Sequence, residues 1–141
     1  MRITLIIITL FLSLGLYAQD PIEGLWKTVY EENNEPSSFI RLQVKNGELT
    51  GTIVKLFDFD DDFLCARCPG EKKDQPIVGM DLVYGLTQED DMWTGGLLIN
   101  PQNGKTYRCR LYLEDDDTIN LRGYFFIPAI GKTIKWYRVE E

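Results

Sequence analysis

From Gly24 onward the chain alternates apolar and polar residues in short runs. Ile40, Leu42 and Val44 share one side against Arg41 and Gln43; Tyr107, Cys109, Leu111 and Leu113 oppose Thr106, Arg108 and Arg110; Ile119, Leu121 and Phe125 oppose Asn120 and Arg122. Successive side chains of an extended chain point to opposite faces, so a period of two predicts strands with one buried side. The pattern yields eight strands, near residues 24–30, 38–45, 48–57, 79–86, 92–99, 105–113, 118–126 and 131–139. Between them lie turn residues. Lys45-Asn46-Gly47-Glu48 sets Asn-Gly between apolar runs, a hairpin signal because both residues accept positive φ. Asn100-Pro101-Gln102-Asn103-Gly104, Asp115-Asp116-Asp117 and Pro128-Ala129-Ile130-Gly131 read as further turns.

An all-β chain of this kind predicts an eight-stranded antiparallel up-and-down barrel, because closure removes the exposed strand edges that an open sheet would leave. A two-sheet sandwich is the alternative. Alternation places Ile40, Leu42, Tyr107, Leu111, Leu121, Phe125 and Trp136 inside, with Arg41, Arg108 and Asn120 outside. The longest connection, Asp58 to Val78, is the natural place for function.

Residues 1–18 have a different character. Arg2 precedes an apolar run from Ile3 to Tyr17 that ends at Ala18, the layout of a secretory signal peptide; at roughly 22 Å as a helix it is short for a membrane span. An uncleaved anchor is the alternative. Cleavage after Ala18 would leave residues 19–141 as one domain, with no membrane span, exported to the periplasm or the extracellular space. That product has 123 residues, with 14 bases against 22 acids.

Composition then narrows the chemistry. The full chain carries a net charge of -7 and a sequence pI near 4.6, and no run of Lys and Arg breaks the acidity, so nucleic-acid and anionic lipid partners are both disfavoured. The sequence has no histidine, which removes Ser-His-Asp and Cys-His nucleophiles and HExxH metal sites. A non-enzymatic protein without a cofactor is expected.

Three cysteines remain. Cys65-Ala66-Arg67-Cys68 reads first as a local disulfide in an oxidising compartment, with a turn at Ala66-Arg67. Thiol redox chemistry is an alternative, opposed by Asp58, Asp60, Asp61 and Asp62 just upstream, which disfavour a thiolate. Metal binding is a second alternative, but the pair supplies two ligands of four, and an unpaired, reduced pair is a third. Cys109 has the parity of a buried, inert thiol. Asp58-Phe59-Asp60-Asp61-Asp62 opens like a calcium loop but places Phe63 where glycine is needed and Pro69 where a chelating glutamate belongs, so no metal site is expected. Gly104-Lys105-Thr106 and Gly131-Lys132-Thr133 lack the upstream glycine of a phosphate loop.

Gly24-x-Trp26 on the first strand and Arg138 on the last resemble the calycin, or lipocalin-like, barrels, in which a basic residue from the last strand covers the tryptophan at the closed end. A closer resemblance spans nearly all of residues 19–141. Gly47-x-Leu49-x-Gly51, Cys65-x-x-Cys68, Pro76-x-x-Gly79, Trp93-x-Gly95-Gly96, Asn100-Pro101-x-x-Gly104-Lys105-x-Tyr107, Leu121-Arg122-Gly123-Tyr124 and Trp136-x-Arg138 resemble the exported bacterial family catalogued as domain of unknown function 2147. The resemblance implies an exported lipocalin-like barrel and carries no activity, ligand or catalytic residue with it. Such a barrel is expected to bind a small apolar or amphipathic ligand, with Tyr107 lining the seat, and with Arg110 or Arg122 meeting an anionic headgroup wherever a bulge turns them inward. The alternative is an interaction or inhibitor module that presents the 58–78 loop to an envelope protein.

Overall fold

The computed structural model describes residues 19–141; the leader predicted over residues 1–18 lies outside the described residues. The strands are β1 (Gly24–Val29), β2 (Pro36–Lys45), β3 (Glu48–Leu56), β4 (Asp81–Glu89), β5 (Met92–Asn100), β6 (Lys105–Asp115), β7 (Thr118–Tyr124) and β8 (Gly131–Arg138). Each pairs antiparallel with the next, and β1 pairs with β8 through Trp26 opposite Arg138 and Lys27 opposite Tyr137, which closes the barrel. The up-and-down order sorts the connections. Tight turns at Asn46-Gly47, Asp90-Asp91 and Asp116-Asp117 gather at the end where the chain enters; the longer segments 30–35, 57–80, 101–104 and 125–130 gather at the other end, the mouth.

The local reasons are those of the sequence. Asn46 and Gly47 adopt φ of 53° and 77°, the left-handed pair a two-residue hairpin needs. Pro36 stands at the first position of β2, where a missing N–H costs no ladder bond. Alternation fills the barrel: Trp26, Ile40, Leu42, Leu49, Leu86, Leu111, Ile119, Leu121 and Trp136 are all fully buried. Packing there is tight. A Cβ at Gly51 would fall 2.6 Å from Val83 Cγ2 and 2.9 Å from Leu42 Cδ2, so even one methyl has no room.

One predicted orientation is corrected, and one outward residue is more covered than its position suggests. Phe125 is not inside: β7 ends at Tyr124, one residue short of it, and the ring is 51% exposed in the β7–β8 connection. Asn120 keeps its outward register, but it sits between Tyr112 and Lys135 of the neighbouring strands and is only 6% exposed. Smaller shifts occur at strand ends. β4 starts at Asp81 rather than residue 79, because Gly79 and Met80 are engaged in a turn whose backbone bonds to Ile53.

Candidate functional site

The two ends of the barrel are built differently. At the entry end, the Arg138 guanidinium lies 4.3 Å from the Trp26 ring centroid. It donates to Asp116 O (2.7 Å), Pro21 O (2.7 Å) and Glu23 O (3.1 Å), tying the β6–β7 turn to the incoming chain. Gly24 belongs to the same arrangement: at φ 128° a Cβ there would stand 3.1 Å from Arg138 Nη1. Trp26 donates from Nε1 to Ile22 O, and Ile22 is itself buried. This end is a sealed floor, with a guanidinium on the indole face and each of its three nitrogens bonded to a carbonyl.

The mouth is held by the long β3–β4 connection. Cys65 and Cys68 form a disulfide with Cα atoms 5.5 Å apart around a turn at Ala66-Arg67. The pair is buried, because the segment folds down onto the barrel rather than projecting from it: Lys72 Nζ lies 4.1 Å from the Tyr84 ring centroid, and Cys68 Sγ lies 3.9 Å from Met80 Sδ. Burial lowers the Lys72 pKa, partly offset by the Asp81 carboxylate. The turn also grips the β5–β6 connection. Arg67 donates to Gln102 O at 3.3 Å, Cys65 Sγ lies 3.7 Å from Pro101 O, and Gly104 leaves room for the Arg67 carbonyl. Two separate sequence motifs, Cys65-x-x-Cys68 and Asn100-Pro101-x-x-Gly104, thus form one collar.

From that collar the contacts run inward. Asn103 Nδ2 donates to the Tyr107 hydroxyl at 3.1 Å, and the Tyr107 ring stands 4.6 Å from that of Phe125. Tyr107 has the parity of the buried Cys109 and is half-buried at the mouth. Packing is easier here than at the floor, since a Cβ at Gly123 would meet Leu98 at 3.5 Å and Tyr107 at 3.9 Å, ordinary contact distances. On β1 and β2, Thr28 Oγ1 lies 2.6 Å from both Ser37 Oγ and Ser38 Oγ, a part-buried group of hydroxyls. Apolar rings and a few hydroxyls thus border the mouth end of the barrel.

The arginine candidates lie elsewhere. No bulge turns Arg110 or Arg122 inward: they face each other across β6 and β7 on the outside. Arg122 is spent on the β7–β8 connection, donating from Nε to Pro128 O (2.6 Å), from Nη1 to Thr133 Oγ1 (2.8 Å) and from Nη2 to Ala129 O (3.4 Å). Arg110 borders an open outer depression of about 290 Å³ with Glu89, Asp90, Asp91, Met92 and Thr94, where three carboxylates oppose an anionic headgroup. A second open depression, about 240 Å³, lies beside Arg41 and Glu141. Cys109 is fully buried, which pushes its thiol up to about 12 and keeps it protonated at neutral pH. Among the described residues no three Cys, Asp or Glu side chains gather as metal ligands.

Sequence reasoning missed the apolar tip of the β7–β8 connection. Phe125, Phe126, Ile127 and Ile130 are 51%, 86%, 50% and 75% exposed. The signal was the run Phe125-Phe126-Ile127-Pro128-Ala129-Ile130, whose proline ends a strand and leaves the apolar residues around it in a turn. Phe59 and Phe63 are a second exposed pair, stacked at 4.3 Å within the acidic segment.

A closed eight-stranded antiparallel barrel, sealed at one end by a tryptophan under an arginine, defines a lipocalin-like protein. The fold is similar to the solved structure of protein HP1028 from Helicobacter pylori, described as belonging to the lipocalin family, with a TM-score of 0.74 and 19% identity over 88% of this chain and 86% of that one. The chain belongs to the family described as an uncharacterized protein conserved in bacteria (DUF2147), whose model matches residues 24–138. No curated protein matches it.

Proposed function

We propose that the protein is an exported, non-enzymatic barrel that binds a small apolar or amphipathic molecule in its mouth rather than deep inside. The observation that carries this reading is Tyr107. It is half-buried on the inner face, bonded to Asn103 of the collar and packed on Phe125, above a core in which Gly51 has no room for a methyl group. A molecule seated there would lay its apolar part on Tyr107, Phe125 and Leu98 and turn its polar end to the Thr28, Ser37 and Ser38 hydroxyls. The lipocalin-like fold favours such a role.

Native mass spectrometry after detergent-free purification tests the reading, together with titration by a long-chain fatty acid. Retention of a small molecule, or saturable uptake that Tyr107→Ser weakens at least tenfold, supports it. A protein that neither retains nor takes up any apolar molecule sinks it.

The exposed Phe59–Phe63 stack among Asp58, Asp60, Asp61 and Asp62 favours a second reading, in which the 58–78 segment docks on an envelope protein. Partner recovery from native extracts that is unchanged by Phe59→Ser with Phe63→Ser would remove it.

A further inference from the structure

Charge is unevenly divided along the chain, and the barrel turns that division into opposite flanks. Residues 19–91 carry sixteen acids and seven bases; residues 92–138 carry seven bases and four acids, and all four acids lie in the Glu114–Asp117 turn at the entry end. The mouth end of β5 to β8 therefore contains no carboxylate of its own. Lys105 and Arg108 are exposed there, and among the described residues neither makes an ion pair. Arg108 stands opposite Tyr124, the residue that leads into the apolar tip.

The tip itself is an uncharged turn. Ile130 N–H donates to Ile127 O at 3.1 Å, while Arg122 takes the Pro128 and Ala129 carbonyls. Those satisfied groups lower the cost of burial, and the rest of the turn's backbone can keep its water in the headgroup region. No side chain between Phe125 and Ile130 offers a directional hydrogen bond, and Phe126 and Ile130 are the most exposed of the apolar ones, at 86% and 75%. That chemistry matches a non-directional apolar medium bordered by negative charge.

We propose that the β7–β8 tip inserts into the interface of an anionic phospholipid bilayer, with Phe126 and Ile130 entering the headgroup–acyl boundary and Lys105 and Arg108 at the phosphates. This runs against the expectation from net charge. The carboxylates of the mouth lie on the β1–β4 side of the ring, in the 58–62 segment of the β3–β4 connection and in the β1–β2 connection, where Glu31 pairs with Lys132 of β8 and Glu32 and Glu35 share the loop, whereas Lys105 and Arg108 belong to β6 on the other flank of the tip. Charges farther than about 10 Å are largely screened at 0.1 M salt, so the β6 flank of the tip, with Lys105 and Arg108, is the one that meets the phosphates. Each base near an anionic surface raises partitioning about fivefold.

The test uses the full chain as its host produces it, its N-terminus read by mass spectrometry. Vesicles contain either phosphatidylglycerol with phosphatidylethanolamine or phosphatidylcholine alone. A Phe126→Trp variant places a new indole at the tip, so a blue-shifted emission quenched by brominated lipid reports tip insertion whatever else tethers the chain. The expected result is insertion into anionic vesicles, at least tenfold weaker on phosphatidylcholine, with K105E/R108E and in 0.5 M salt. F126S/I130S, which carries no reporter at the tip, should lose co-flotation with anionic vesicles while keeping the wild-type melting temperature, since both residues are exposed. A tip indole that stays water-exposed on anionic vesicles overturns the proposal, as does insertion indifferent to lipid charge. Capture of a protein through Phe126 with no lipid insertion overturns it in favour of a protein-docking knob. Fatty-acid uptake at the Tyr107 seat is read separately, so the two ideas fail independently.

Discussion

The carbonyl oxygen of Arg67 lies where a side chain at position 104 would begin: a Cβ built on Gly104 falls 1.7 Å from it. Glycine there is required twice, by this contact and by a φ of 71°. Gly104→Ala should therefore cost roughly 2–4 kcal/mol, about 1 from the backbone and the rest from pushing the Cys65–Cys68 turn off the β5–β6 connection. Gly47→Ala is the control, since Gly47 has φ 77° and nothing within 4 Å. Thermal melts should show a clearly larger loss at 104 than at 47; equal losses would mean that the collar does not depend on this contact.

Arg138 joins Trp26, the β6–β7 turn and the entering chain, so its removal opens the floor. Arg138→Ala should destabilise the barrel by about 3 kcal/mol, combining a cation–π contact with three hydrogen bonds from a charged donor. Arg138→Lys should recover less than half of that, because one ammonium cannot span three carbonyls in separate directions. Urea unfolding of both variants measures the difference. A lysine variant as stable as the wild type would show that charge alone, rather than the guanidinium fork, closes this end.

The two core tryptophans should answer differently to the same substitution. Trp26 Nε1 donates to Ile22 O, whereas the buried Trp136 Nε1 has no partner among the described residues. Replacement by phenylalanine removes comparable ring area from each, but at position 26 it also strands a carbonyl, worth about 1–3 kcal/mol. At 136 it removes an unsatisfied donor. Trp26→Phe should thus be the costlier change by about 1–2 kcal/mol in denaturant midpoint, and a reversed order would mean that Trp136 bonds to an internal water.

How much of this was legible beforehand depended on whether a feature is local. Strand number, the Asn46-Gly47 hairpin and the inward set Ile40, Leu42, Leu111 and Leu121 follow from a period of two, which the chain cannot satisfy in another way. The position of Arg138 over Trp26 also followed, once closure made the first and last strands neighbours. Phe125 failed because alternation was carried one residue past the point where Pro128 forces the chain out of the ladder. The collar was illegible for another reason. Cys65-x-x-Cys68 and Gly104 lie nearly forty residues apart, and no periodicity ties a loop to a loop. Charge segregation was likewise hidden, because a net value averages over faces that folding separates.

Cys109 makes stability depend on alkaline pH. Burial raises its folded-state pKa from 9.0 to about 12, so at any pH between these values the unfolded chain ionises the thiol and the folded chain does not. The sign follows from proton counts. Below pH 9 both states hold the proton and the full stability is present; above it the folded state holds more, and stability falls by about 1.4 kcal/mol per pH unit until the folded pKa is reached. Between pH 8 and 10.5 the loss from this group should be roughly 2 kcal/mol. Lysines and tyrosines titrate in the same window, so the comparison needs a variant that differs at this position alone. Cys109→Ala should be less stable by about 1–2 kcal/mol at pH 8, through lost volume in the core, and should narrow or close that gap at pH 10.5 because it has no thiol to ionise. Urea midpoints of the two proteins at both pH values decide it, read within minutes so that exchange with Cys65–Cys68 does not intervene. A constant gap between wild type and variant would mean that water reaches Cys109 in the folded barrel and that the core is not closed around it.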